Sequence, residues 1–175
     1  MFSHGGLTIR VVEERDLDKV RGLRNEPSTW MMLTTVGAID AQSQRAWFDV
    51  VSKSVSCRYY VVCDADHDFI GMVRTDEIDQ PNRSMRVGAD IVPTLRGLGY
   101  GTRLYGLLKK YCFDFLNMHR IWLLVMEDNG PARALYARAG FHVEGRFREA
   151  VFRDGRYRDY ILMSLLESEY RRETA

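Results

Sequence analysis

The chain has 175 residues, 46% of them hydrophobic, enough to bury one core and too few for two comfortable domains, so a single domain over residues 1–175 is expected. Its formal net charge of +1 gives no global field that would draw it to nucleic acid or an anionic membrane. Residues 1–6 lack the regions of a signal peptide, no apolar run reaches the ~18 residues of a membrane span, and three cysteines without a C-x-x-C pair predict reduced thiols in a cytoplasmic protein with no metal site.

Residues 7–12 alternate apolar and polar side chains and predict a first strand. Asp16 is placed to cap a helix with Leu17, Val20 and Leu23 on one face, ending near Pro27. Asp40 is placed to cap a second, with Trp47, Val50 and Val51 at helical spacing. Between them, residues 28–38 carry Trp30, Met31, Met32 and Leu33, too apolar for a solvated linker. Strands over 58–63, 69–74 and 85–92 follow at the spacing of an antiparallel meander.

Directly after the strand ending Ile91-Val92-Pro93 comes Arg96-Gly97-Leu98-Gly99-Tyr100-Gly101, opening a helix over 102–116. Side chains vanish at alternate positions, so backbone N–H groups can close around an anion while the helix dipole points its positive end there. Arg96 adds a full charge, and the loop reads as a phosphate or pyrophosphate site. It is not a Walker loop, which needs a Gly-Lys-Ser/Thr ending, nor a dinucleotide fingerprint, because Thr102 stands where the third glycine belongs. The following helix predicts a buried stripe of Leu104, Leu107, Leu108, Tyr111 and Phe115.

The continuous apolar run 121–126 predicts a central strand. Asn129-Gly130-Pro131 opens a short helix, closed by Gly140 with Phe141 as its hydrophobic anchor. Asp154-Gly155 between two last strands is a hairpin signal. The result is an α+β chain with about seven strands and about four helices.

The loop Arg96 to Gly101, together with His119 to Leu123, Asn129 to Ala132, Ala134-Leu135-Tyr136, Gly140-Phe141, Glu144-Gly145 and Gly155-Arg156-Tyr157, resembles the GNAT-type N-acetyltransferases over almost the whole chain, and their Rim-type branch in particular. The resemblance implies a mixed, mostly antiparallel sheet splayed between its fourth and fifth strands, with acetyl-coenzyme A in the gap. Ile91 and Val92 would then bond the pantetheine arm. Arg96, Gly97, Leu98, Gly99, Tyr100, Gly101 and Thr102 would hold the pyrophosphate, and Asn129 and Ala132 would touch the cofactor. Tyr136 is the implied general acid for the departing thiolate.

The general base is less direct. Related enzymes often carry a glutamate two places before the residue matching Gly88, and here that place holds Arg86. Asp90 lies on the same strand face and is the first candidate, with Glu77 and Glu127 as others. Trp30, Met31 and Arg86 are the expected acceptor-binding residues. The acceptor is expected to be a primary amine of a small molecule, an amino sugar, a nucleotide-linked sugar or a polyamine. Residues 28–38 contain no carboxylate for a polyamine, whereas Arg83, Arg86, Arg146, Arg148, Arg153, Arg156 and Arg158 would suit an anionic acceptor. The α-amine of a peptide N-terminus and a non-catalytic acyl-coenzyme A sensor are the alternatives, and residues 28–38 with the last strands offer a surface for a homodimer.

Overall fold

The computed structural model describes residues 1–33 and 37–174. Its strands are β1 (Phe2–His4), β2 (Leu7–Val11), β3 (Arg58–Cys63), β4 (Phe69–Asp79), β5 (Ser84–Ile91), β6 (Arg120–Met126), β7 (His142–Arg153) and β8 (Arg156–Leu166). Its helices are α1 (Leu17–Asn25), α2 (Pro27–Trp30), α3 (Ala41–Val51), α4 (Tyr100–Lys110), α5 (Gly130–Arg138) and α6 (Glu167–Thr174). The strands form one mixed sheet in the order β1-β2-β3-β4-β5-β6-β8-β7, antiparallel except for the β5–β6 pair. The α+β class therefore holds, with eight strands in place of about seven. The additional β1 folds back through Gly5 and Gly6, both at positive φ.

Alternation along the strands sends side chains to two helical layers. Tyr60 and Val62 pack with Leu104, Leu107 and Leu108 of α4, while Val61, Cys63 and Met72 pack with Val20 and Leu23 of α1. Asp40 caps α3 as expected, accepting from the Ser43 amide at 2.7 Å. Its buried face is turned from the expected one, with Gln44 buried and Val50 exposed. Asp16 stands at the head of α1 but does not cap it. Its buried carboxylate instead takes two hydrogen bonds from Arg10, each 2.7 Å, and one from the Glu13 amide.

Helix α4 ends at Lys110, and Tyr111–Phe115 continue as a π turn. The wider turn rotates the stripe: Cys112 and Phe113 enter the core and Phe115 is left 61% exposed. At the end of α5 the Phe141 amide bonds the Tyr136 carbonyl and the Gly140 amide bonds that of Ala137. That is the Schellman closure expected of Gly140, which has a φ of 92°. Asp154 and Gly155, with φ of 50° and 73°, make the two-residue turn between β7 and β8.

One departure from regular pairing matters most. β5 and β6 pair only at Ser84↔Arg120, Met85↔Ile121 and Arg86↔Trp122. Beyond that point β5 stays with β4 and β6 with β8, so the sheet opens into a wedge.

Candidate active site

The wedge encloses a cavity of about 880 Å³, walled by residues 87–91 on one side and 123–126 on the other. The Val92 amide donates to Ile70 at 3.0 Å. Antiparallel alternation then turns the backbone of Asp90 and Gly88 toward β4 and that of Ala89 and Ile91 toward the gap. This corrects the expectation for Val92, whose carbonyl also accepts from Leu95 and which lies outside the cavity lining. The edge that faces the gap is formed by Ala89 and Ile91.

At the wide end the cavity meets the start of α4. Gly97 and Gly99 adopt positive φ of 78° and 84°, and Gly99 caps the helix without any side-chain acceptor. The first amides of α4 consequently have no intrahelical partner, and they stand at the cavity wall. Arg96, Gly97, Gly99, Gly101 and Thr102 line the cavity. Leu98 and Tyr100 do not; Leu98 is exposed and the Tyr100 ring lies under the Arg103 guanidinium at 5.1 Å, which leaves their amides as the groups to offer. A Cβ on Gly101 would come within 2.9 Å of Leu135 Cδ2, so the bare position lets α4 and α5 approach.

Arg96 is already engaged. Its Nε donates to the Ile91 carbonyl at 2.9 Å, Nη1 to Ser28 Oγ at 2.8 Å and Nη2 to Thr29 Oγ1 at 2.6 Å. It ties α2 across the cavity mouth. On the far side, Asn129 accepts from the Ala132 amide at 3.2 Å, capping α5, and both residues line the cavity.

Tyr136 and Asp90 line the same cavity from opposite elements. Burial pushes the Asp90 carboxyl up from its ordinary value, opposed by Arg74, Arg24 and Arg96. Burial likewise raises Tyr136, with an electrostatic contribution from Asp90. Sequence reasoning missed Tyr105, which lies in the buried stripe of α4 between Leu104 and Leu107. Its ring meets that of Tyr136 edge-on at 5.1 Å, yet its buried hydroxyl reaches no hydrogen-bond geometry with any described residue. Burial, then the Tyr136 hydroxyl, hold Tyr105 well above its ordinary value. The available signal was a hydroxyl placed where leucine alone would fill a core.

Other expectations move. Trp30 and Met31 line no part of the cavity, which is walled instead by Ser28, Thr29, Met32 and Leu33, the adjacent face at helical spacing. Residues 34–36 of the same segment lie outside the described residues. Arg86 lies outside this cavity but lines a smaller one beside it: it holds Asp76 with two bonds of 2.6 and 2.9 Å, pairs with Glu77 at 3.0 Å and covers the Trp122 ring. Glu77 is therefore not a free base, and Glu127 is paired with Arg146 away from the cavity. Of the hairpin arginines, Arg146 and Arg158 pair with Asp159 and Asp128, while buried Arg153 donates to the Leu33 carbonyl. No helix among the described residues is long and apolar enough to cross a membrane.

Comparison with known proteins gives this geometry its class. The acetyltransferase (GNAT) domain family matches residues 6–142. Spermidine N(1)-acetyltransferase of Vibrio cholerae serotype O1 is 31% identical over 164 residues, covering 94% of this chain and 95% of that protein. An L-amino acid N-acetyltransferase of Escherichia coli K12 is 26% identical over 160 residues, or 90% and 96% of the two chains. The crystal structure of the Vibrio cholerae spermidine enzyme with CoA and spermine superposes with a TM-score of 0.91 at 30% identity, covering 95% of this chain and 99% of that one. The same enzyme has also been solved as a dodecamer, with a TM-score of 0.85 at 30% identity, covering 98% of this chain and all of that one. The chain belongs to the GNAT acetyltransferase family. It is an N-acetyltransferase with acetyl-coenzyme A as its co-substrate.

Proposed function

We propose that the wedge between β5 and β6 carries out direct acetyl transfer from acetyl-coenzyme A to the primary amine of a small molecule, with no covalent enzyme intermediate. The observation that carries this reading is the loss of pairing beyond Arg86 and Trp122, with an amide-rich helix start at one end of the gap and Asp90 and Tyr136 on its walls. The amides of residues 97–102 hold the pyrophosphate. The Ala89 and Ile91 edge bonds the pantetheine as a further strand would, and one of its N–H groups stabilises the oxyanion.

The chemistry then needs two proton carriers. An acceptor amine is protonated at neutral pH, and Asp90 takes its proton, directly or through water. The freed amine attacks the thioester carbonyl, forming C–N; its nitrogen then loses a second proton to solvent as C–S breaks, leaving the neutral amide. Tyr136 gives its proton to the departing thiolate and regains one, through solvent, from the Asp90 carboxyl.

The named relatives act on small molecules, which supports a small-molecule acceptor over the peptide N-terminus of the Rim-type reading. Free Cys57, Cys63 and Cys112 agree with a reducing cytoplasm. A thiol-release assay with a panel of amines tests the function. Turnover with at least one small amine is expected; coenzyme A binding without turnover for any amine would favour the sensor.

We also infer self-association. Val143, Phe147, Phe152 and Tyr157 stand exposed on the β7–β8 arm, and the Vibrio cholerae enzyme forms a dodecamer. Sedimentation velocity is expected to show an oligomer, and a monomer at high micromolar concentration would contradict it.

A further inference from the structure

Beside the wedge lies a second cavity of about 420 Å³. Leu33 and Arg74 line both, so the two adjoin. Its lining holds three arginines, Arg24, Arg74 and Arg86, and a single carboxylate, Asp76. That carboxylate is saturated: Arg86 bonds both its oxygens, and Arg74 Nε approaches within 3.5 Å.

Of the other two, Arg74 has only that 3.5 Å ion pair and Arg24 has none among the described residues. Arg24 meets no carboxylate and no hydrogen-bond acceptor among the described residues, and its Nε is buried. Arg74 Nε is buried without a hydrogen bond too, with its guanidinium laid against Gly88, where a Cβ would come within 2.8 Å. A guanidinium cannot shed its proton to escape burial, so an unpaired one is costly unless an anion completes the site. Arg74 lines the wedge together with Asp90 as well as this cavity, which puts its charge beside the proposed reacting centre. Trp47 and Tyr59, edge to face at 4.8 Å, add a flat apolar wall.

We propose that this cavity is the acceptor subsite and that the acceptor is a small primary amine bearing a carboxylate or phosphate, held by Arg24 and Arg74 with its amine aimed at Asp90. The proposal rests on the wedge being the acetyl-coenzyme A site. A polycation such as spermidine meets like charge on this wall. Phosphate and carboxylate are equally served by a guanidinium fork, so the amine panel must separate them.

The test is kcat/KM for thiol release at fixed acetyl-coenzyme A. The amines are a set of α-amino acids and their amides, a hexosamine phosphate and the free hexosamine, and spermidine. At least one anionic amine is expected to exceed its uncharged-group counterpart and spermidine by about tenfold or more, the lower range for hydrogen bonds to charged groups. The preferred arm names the anion. Arg24→Gln should raise KM for that amine by about tenfold or more with a much smaller change in kcat, and Arg24→Lys should recover part of it. Faster turnover of spermidine than of every anionic amine, or an Arg24→Gln enzyme with unaltered KM, would overturn the proposal. If coenzyme A binds and no amine is acetylated, calorimetry with the same amines decides. An anionic amine whose binding is lost in Arg24→Gln upholds the subsite, and absence of binding overturns it. Failure to bind coenzyme A at all would remove the wedge reading and the subsite with it.

Discussion

Tyr136 was reached through the family resemblance and Asp90 through strand alternation, and both line the cavity; their electrostatic influence on Tyr105 was not legible. Tyr136→Phe keeps the ring packing on Tyr105 and removes only the hydroxyl with its proton. It is expected to lower kcat at least about tenfold with coenzyme A affinity nearly unchanged, read by steady-state kinetics beside calorimetry. Unchanged kcat would assign the acid role elsewhere.

Asp90 makes a two-part prediction from one cause. Burial raises its carboxyl above the ordinary 3.8, so the ionised base form is lost as pH falls through that raised value. The pH profile of kcat/KM should show this acidic limb, and Asp90→Asn should erase it along with most activity. Stability runs the other way. A raised folded-state value contributes stability fully below 3.8, and that contribution is lost as pH rises through the raised value. Asp90→Asn should therefore unfold at a higher temperature than the parent at pH 7, with the gain fading near pH ~4. A lower melting temperature at pH 7 would show that the ionised carboxylate is a structural partner.

Helix phase explains why Trp30 and Met31 fall outside the cavity lining. Trp30 and Met31 look like the wall of a pocket because they are large, but composition carries no phase. Arg96 fixes the phase by bonding Ser28 and Thr29, which turns Met32 and Leu33 into the cavity. Likewise the π turn after Lys110 breaks the 3.6-residue period on which the placement of Phe115 relied. Glycines were the more readable signal, since their effect is local. Gly71 has one that the sequence did not reveal: a Cβ there would overlap the Asp90 carbonyl oxygen across the β4–β5 pair. Gly71→Ala is expected to cost about 1–3 kcal/mol in urea unfolding and to depress kcat by shifting Asp90. A variant as stable and active as the parent would show that the two strands yield without consequence.

Across the whole molecule, the order of elements was readable in outline because each turn signal, Asp154-Gly155 above all, joins neighbours that pair. The anion loop was readable because amides and a helix start suffice to make it. The proposed acceptor cavity was readable only at Arg86, because Arg24, Arg74 and Arg86 lie on separate elements that only the folded sheet brings together. Asp76 bonds Arg86 through both oxygens and reaches Arg74 only at 3.5 Å, which leaves Arg24 without a carboxylate partner among the described residues.

The most direct measurement is a crystal structure of the protein with coenzyme A. The diphosphate should lie on the amides of residues 97–102, the pantetheine along Ala89 and Ile91, and the sulfur between Tyr136 and Asp90. Coenzyme A bound outside the wedge, or with its sulfur remote from both side chains, would contradict the account.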